Sequence, residues 1–112
     1  MKILIRRVDS ATIVDVSGDI DLSNSPEVRK ALLREVRDNR APRVVLNLSE
    51  VRYIDSSGVA SLVEGLKASR DIGSRFMLVG LSGPAREVLQ LSRLVKVFEI
   101  YDTEVEALAA RV

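Results

Sequence analysis

The segments "RVVLNLS" from Arg43 and "RFMLVG" from Arg75 are short, unbroken runs of β-branched and large apolar residues. A half-buried strand alternates apolar with polar, so unbroken runs of this length predict strands covered on both faces. Each is followed by residues with helical spacing. After the first, Val59, Leu62, Val63 and Leu66 stand at i, i+3, i+4 and i+7, which predicts a helix from about Ser57 to Arg70. The glycine of "DIGS" suits its end. After the second, "SGPAREVLQLS" predicts another helix with Pro84 in its first turn. Doubly buried strands alternating with single helices are the mark of right-handed βαβ crossovers and a parallel sheet.

The rest of the chain extends this pattern. Lys2 to Val8 and Ala11 to Gly18 read as strands, and the two-residue turn Asp9-Ser10 makes them an antiparallel hairpin. The polar loop "DIDLSNSPE" follows, with Ser25 as the expected N-cap and Pro26 at the first helical position. Glu27 suits the dipole of that helix, on which Val28, Ala31, Leu32, Glu35 and Val36 share one face before "RDNRAP" ends it. "KVFEI" predicts a last strand, and "DTEVEALAARV" a terminal helix capped by Asp102 or Thr103. The expected order is ββαβαβαβα. It describes an α/β domain with helices on a mostly parallel mixed sheet and one antiparallel N-terminal strand.

At 112 residues the chain is long enough for one compact core, and residues 1–112 are expected to form a single domain. A net charge of +1 and 4% aromatic residues argue against direct nucleic-acid binding, which calls for a basic excess or stacking platforms. Charges interrupt every apolar run well short of the roughly 18 residues of a membrane span, so no membrane insertion is expected. The apolar run after Lys2 is too short for a secretory signal, which makes the cytoplasm the expected location. The chain has no cysteine and no histidine. Disulfides, thiol nucleophiles, imidazole bases and most zinc sites are thereby removed. No catalytic residue, metal site or cofactor is expected, and the protein reads as something other than an enzyme.

Three loops remain to be explained. "DSSG", Asp55 to Gly58, joins a parallel strand to a helix and so lies at the carboxyl edge of the sheet, where α/β ligand sites collect. One acid or hydroxyl suffices to cap that helix. The second hydroxyl is either a redundant cap or a group displayed for modification, and a phosphate is tolerated at a helix N-terminus. "GDIDLSNS", Gly18 to Ser25, carries Asp19 and Asp21, which reads as a solvated connection or as one half of a shared surface with "DSSG". "GLSGPA", Gly80 to Ala85, fails the G-x-S-x-G spacing of a nucleophile elbow and lacks the lysine of a phosphate loop. A plain strand-to-helix turn explains it.

The element order together with Gly18-Asp19-Ile20-Asp21 and Asp55-Ser56-Ser57-Gly58 resembles the STAS domains, and among them the bacterial anti-sigma factor antagonists. The resemblance runs over nearly the whole chain. It implies that Ser56 is the phosphorylation site of a partner that is both anti-sigma factor and GHKL-type serine kinase. The unphosphorylated form would bind that partner and release the sigma factor, and phosphorylation would end the binding. It further implies that Ser57 supports the helix start, and that Asp19, Asp21 and Ser23 join Asp55, Ser56, Ser57 and Gly58 in the partner-binding surface. A serine phosphatase is a compatible further partner, and the protein is expected to be a monomer or weak dimer. The alternative within the same family is an accessory subunit that binds the ATPase of a phospholipid-transport ABC complex.

Overall fold

The computed structural model describes residues 1–110. Strand β1 (Lys2–Val8) pairs antiparallel with β2 (Ala11–Ser17) across the expected two-residue turn, with Val8 opposite Ala11. Asp9 in that turn takes a left-handed conformation (φ 54°), which aspartate tolerates better than most residues. Strands β3 (Arg43–Glu50), β4 (Arg75–Val79) and β5 (Glu99–Tyr101) then add in sequence order, each parallel to the one before.

Helices α1 (Ser25–Leu33), α2 (Ser56–Asp71) and α3 (Gly83–Leu91) connect successive parallel strands. Right-handed crossovers that always step the same way leave their helices on one face of the sheet. That face holds the larger core. Val14 and Val16 from β2, Val44, Leu46 and Leu48 from β3, and Phe76 and Leu78 from β4 meet the three helices there. The alternate residues Ile13, Val45, Met77 and Val79 point the other way, under Ala107 of α4 (Glu104–Ala109). Both faces of the central strands are therefore buried, as their unbroken apolar runs require.

Several boundaries differ from the sequence expectation, most clearly at the first helix and the last strand. Ser25 is the first residue of α1, not its cap; Asn24 holds the cap position. The Asn24 side chain is occupied elsewhere, accepting from the Asp21 N–H (2.9 Å) and donating to the Asp19 carbonyl (2.8 Å). Ser25 is buried instead, and its carbonyl accepts the Ser61 hydroxyl (3.1 Å), which locks α1 to α2. The first helix also continues into a π-helical turn, Arg34–Asp38. There Glu35, the single polar residue on the expected apolar face, is buried and satisfied by Arg7 (3.0 Å) and by the Asn39 amide.

The last strand is shorter and later than "KVFEI" suggests. Lys96 and Val97 lie in turns that follow Arg93, whose φ is 59°, and Phe98 leaves the strand direction to enter the core against Phe76. Only Glu99 to Tyr101 pair with β4. Of the two expected caps of α4, Thr103 serves, accepting from the Glu106 N–H. The expected extension of that helix through Arg111 and Val112 lies outside the described residues.

Candidate functional site

Beyond β2 and β3 the two chains continue side by side as a parallel bridge between Ile20 and Ile54. The Ile20 N–H donates to the Tyr53 carbonyl and the Asp55 N–H to the Ile20 carbonyl, each at 3.0 Å. The bridge brings "GDIDLSNS" and "DSSG" together at the carboxyl edge of the sheet, as the strand order predicted. Side chains then tie the loops in both directions. Asp19 accepts from the Tyr53 N–H (3.2 Å), and Asp55 accepts from the Leu22 N–H (3.1 Å). Asp21 stays within its own loop, accepting from both the N–H (2.9 Å) and the hydroxyl (2.6 Å) of Ser23.

The adjacent hydroxyls of "DSSG" have different surroundings. Asp55 is the N-cap of α2, and its Oδ1 accepts from the Ser57 N–H (2.9 Å), the Gly58 N–H (3.1 Å) and the Ser57 hydroxyl (2.5 Å). Ser57 is thus spent on the helix start. Ser56, the first helical residue, is exposed, and among the described residues its hydroxyl has no hydrogen-bond partner. Gly58 is buried against the bridge: a Cβ there would stand 2.6 Å from Ile54 Cγ2 and 2.8 Å from Ile20 Cγ2. Glycine lets the start of α2 sit directly on the two isoleucines and so fixes where Ser56 is presented.

The Asp55 carboxyl is held below its ordinary value, first by the Ser57 hydroxyl and then by the Gly58, Ser57 and Leu22 N–H groups. A carboxylate with a depressed folded value adds stability that is complete above the unfolded carboxyl value and fades as pH falls through the folded one. Replacing this cap, Asp55→Ala, should therefore lower unfolding stability at neutral pH by about 0.5–2 kcal/mol. The gap between wild type and variant should begin to narrow below about pH 4, the unfolded carboxyl value, and keep narrowing as pH falls through the lower folded one. Urea unfolding at neutral and acid pH checks this; a gap that stays constant would show that the charged form of Asp55 adds nothing.

The third loop adjoins the same edge. Ser82 caps α3 by accepting from the Ala85 N–H (3.1 Å) and donates its hydroxyl to the Arg52 carbonyl (2.8 Å). This agrees with its reading as a turn, but it also braces the segment leading into "DSSG". Sequence reasoning passed over two other residues, Leu22 and Tyr53. Both carry apolar side chains that are 77% and 48% exposed, on the N–H groups held by Asp55 and Asp19. Their signal in the sequence is an apolar residue inside an otherwise polar loop. Among the described residues no cluster of histidine, cysteine, aspartate or glutamate could hold a metal ion, and no helix is long and apolar enough to cross a membrane.

Residues 2–107 match the family described as STAS domain. The chain belongs to this family. It is 30% identical over 96 residues to the anti-sigma F factor antagonist of Paenibacillus polymyxa, covering 86% of this chain and 82% of that one. It is 33% identical over 92 residues to the anti-sigma-B factor antagonist of Listeria monocytogenes, covering 81% and 79%. The crystal structure of an anti-sigma factor antagonist from Mycobacterium paratuberculosis superposes with a TM-score of 0.86 at 29% identity, covering 96% of this STAS chain and 90% of the other.

Proposed function

We propose that this STAS protein is an anti-sigma factor antagonist whose Ser56 hydroxyl is a phosphorylation switch. The observation that carries the reading is the division of labour at the start of α2. Asp55 and Ser57 complete the cap, which leaves Ser56 exposed and without a structural task. The resemblance of most of the chain to antagonists of anti-sigma factors supports the partner class.

In this reading the unmodified face binds an anti-sigma factor that is also a GHKL-type serine kinase. Asp19, Asp21, Ser23, Asp55 and Ser57 share that face with Ser56, with Leu22 and Tyr53 as its apolar elements, whereas Gly58, expected there from the sequence, is buried and serves to seat the helix start. A phosphate adds about −1.5 to −2 charge beside Asp55. It also places a strongly hydrated group among side chains that the partner must desolvate, so like-charge repulsion and desolvation both oppose docking. The domain need not refold. The protein supplies the hydroxyl and the kinase supplies the chemistry, since this chain has no histidine or cysteine to activate a serine.

The test is to incubate the chain with ATP and its cognate kinase and map the product by mass spectrometry. One phosphate on Ser56 is expected, absent from Ser56→Ala and present in Ser57→Ala. A phosphate on Ser57, or none at all, would sink the switch and favour the accessory-subunit role in an ABC complex.

A further inference from the structure

The two edges of the sheet are protected unequally. Strand β5 exposes an edge of three residues, whereas β1 exposes seven. The register of β1 against β2 runs without interruption from Lys2 opposite Ser17 to Val8 opposite Ala11. It contains no proline and no bulge, two of the devices that normally blunt an edge. Leu4 and Ile5, on opposite faces of the strand, are 55% and 37% exposed. A long, regular, apolar edge is a template for another strand.

The remaining deterrent is charge, and here it is largely neutralised. Arg6 is tied to Asp15 (2.5 Å) and to Glu104 of α4 (2.6 Å), and Arg7 to the buried Glu35 (3.0 Å). Both guanidinium groups are folded back onto carboxylates of their own chain. Among the described residues, Lys2 alone of the strand's cations has no carboxylate partner.

We propose that β1 pairs antiparallel with β1 of a second copy about a two-fold axis at Ile5, giving a continuous ten-stranded sheet. In a continuous antiparallel sheet, opposed residues share a face, so the axis must pass through a residue. An axis at Leu4 or at Arg6 would pair only five residues of each strand. The axis at Ile5 pairs all seven residues. It opposes Leu4 to Arg6, Ile3 to Arg7 and Lys2 to Val8, with no like charges face to face. A groove of about 310 Å³ beside Ile3, Ile5 and Ala31 lies along this edge, with room for the incoming Ile5. One pair of short strands buries less than the roughly 1,200 Å² of a standard interface, so the dimer is weak and reversible.

Sedimentation of the full chain from tens of micromolar to about 1 mM should show monomers giving way to dimers. Two substitutions at Ile5, which the axis sets opposite its own copy, separate strand pairing from loose apolar contact, since both remove the same apolar side chain. Ile5→Lys sets two lysines face to face across the axis and should weaken the dimer at least about tenfold. Ile5→Thr keeps a β-branched residue suited to a strand and should weaken it far less. Wild type that stays monomeric throughout, or equal weakening by both variants, would overturn the proposal.

Discussion

Gly58→Ala is expected to destabilise the domain by about 1–3 kcal/mol, the usual cost of overpacking a filled core. The sign is a contest, because alanine is the better helix former by about 1 kcal/mol. The contacts decide it. The added methyl would meet Ile54 Cγ2 at 2.6 Å and Ile20 Cγ2 at 2.8 Å, and both belong to stiff β-branched side chains on the bridge between the two loops. The start of α2 has to lift, which strains the bonds from Ser57 and Gly58 to Asp55 and displaces Ser56. Gly83→Ala supplies the control. It also lies in the first turn of a helix, but a Cβ there meets nothing within 4 Å, so stability should hold or rise slightly. Urea midpoints of the two variants check the pair. A neutral or stabilising Gly58→Ala would mean that the helix start is not seated as described.

Ser56→Asp should reduce affinity for the anti-sigma partner by at least about tenfold, which corresponds to about 1.4 kcal/mol. The same variant should melt close to wild type. Among the described residues Ser56 makes no side-chain hydrogen bond that would be lost, and an acid in the first turn is favoured by the helix dipole, which offsets its repulsion from Asp55. Ser57→Ala should act mainly on stability. It removes the hydroxyl bond to Asp55, costing about 0.5–1.5 kcal/mol, while leaving the exposed Ser56 hydroxyl in place for phosphorylation. Thermal melting and calorimetric titration of both variants separate the roles. If Ser56→Asp melts far below wild type, Ser56 is a structural residue and the switch loses its basis.

The strands were legible because burial on both faces writes unbroken apolar runs such as Val44 to Leu46, and the order of those runs fixed the sheet. The juxtaposition of Asp19 and Asp55 followed from that order alone. What stayed hidden depends on bonds across the chain. Asn24 takes the cap position without a side-chain cap bond, because its amide is bound to Asp19 and Asp21, while Ser25 turns into the helix toward Ser61; local propensity cannot foresee either. Glu35 reads as a blemish on an apolar face until Arg7, from the far hairpin, comes to pair with it. Phe98 looks like a strand residue because it is aromatic, yet tertiary packing against Phe76 takes it out of the ladder. Asp21 and Asp55 look alike in sequence, but one organises its own loop and the other spans two.

The most direct test of the switch is calorimetric titration of the partner kinase with two preparations of the wild-type chain, unmodified and fully phosphorylated at Ser56. The unmodified chain should bind, and the phosphorylated chain should bind at least about a hundredfold more weakly, a difference of about 2.7 kcal/mol. Circular dichroism of the two preparations should coincide. Equal affinities would contradict the account, because the exposed hydroxyl beside Asp55 would then carry no information for the partner.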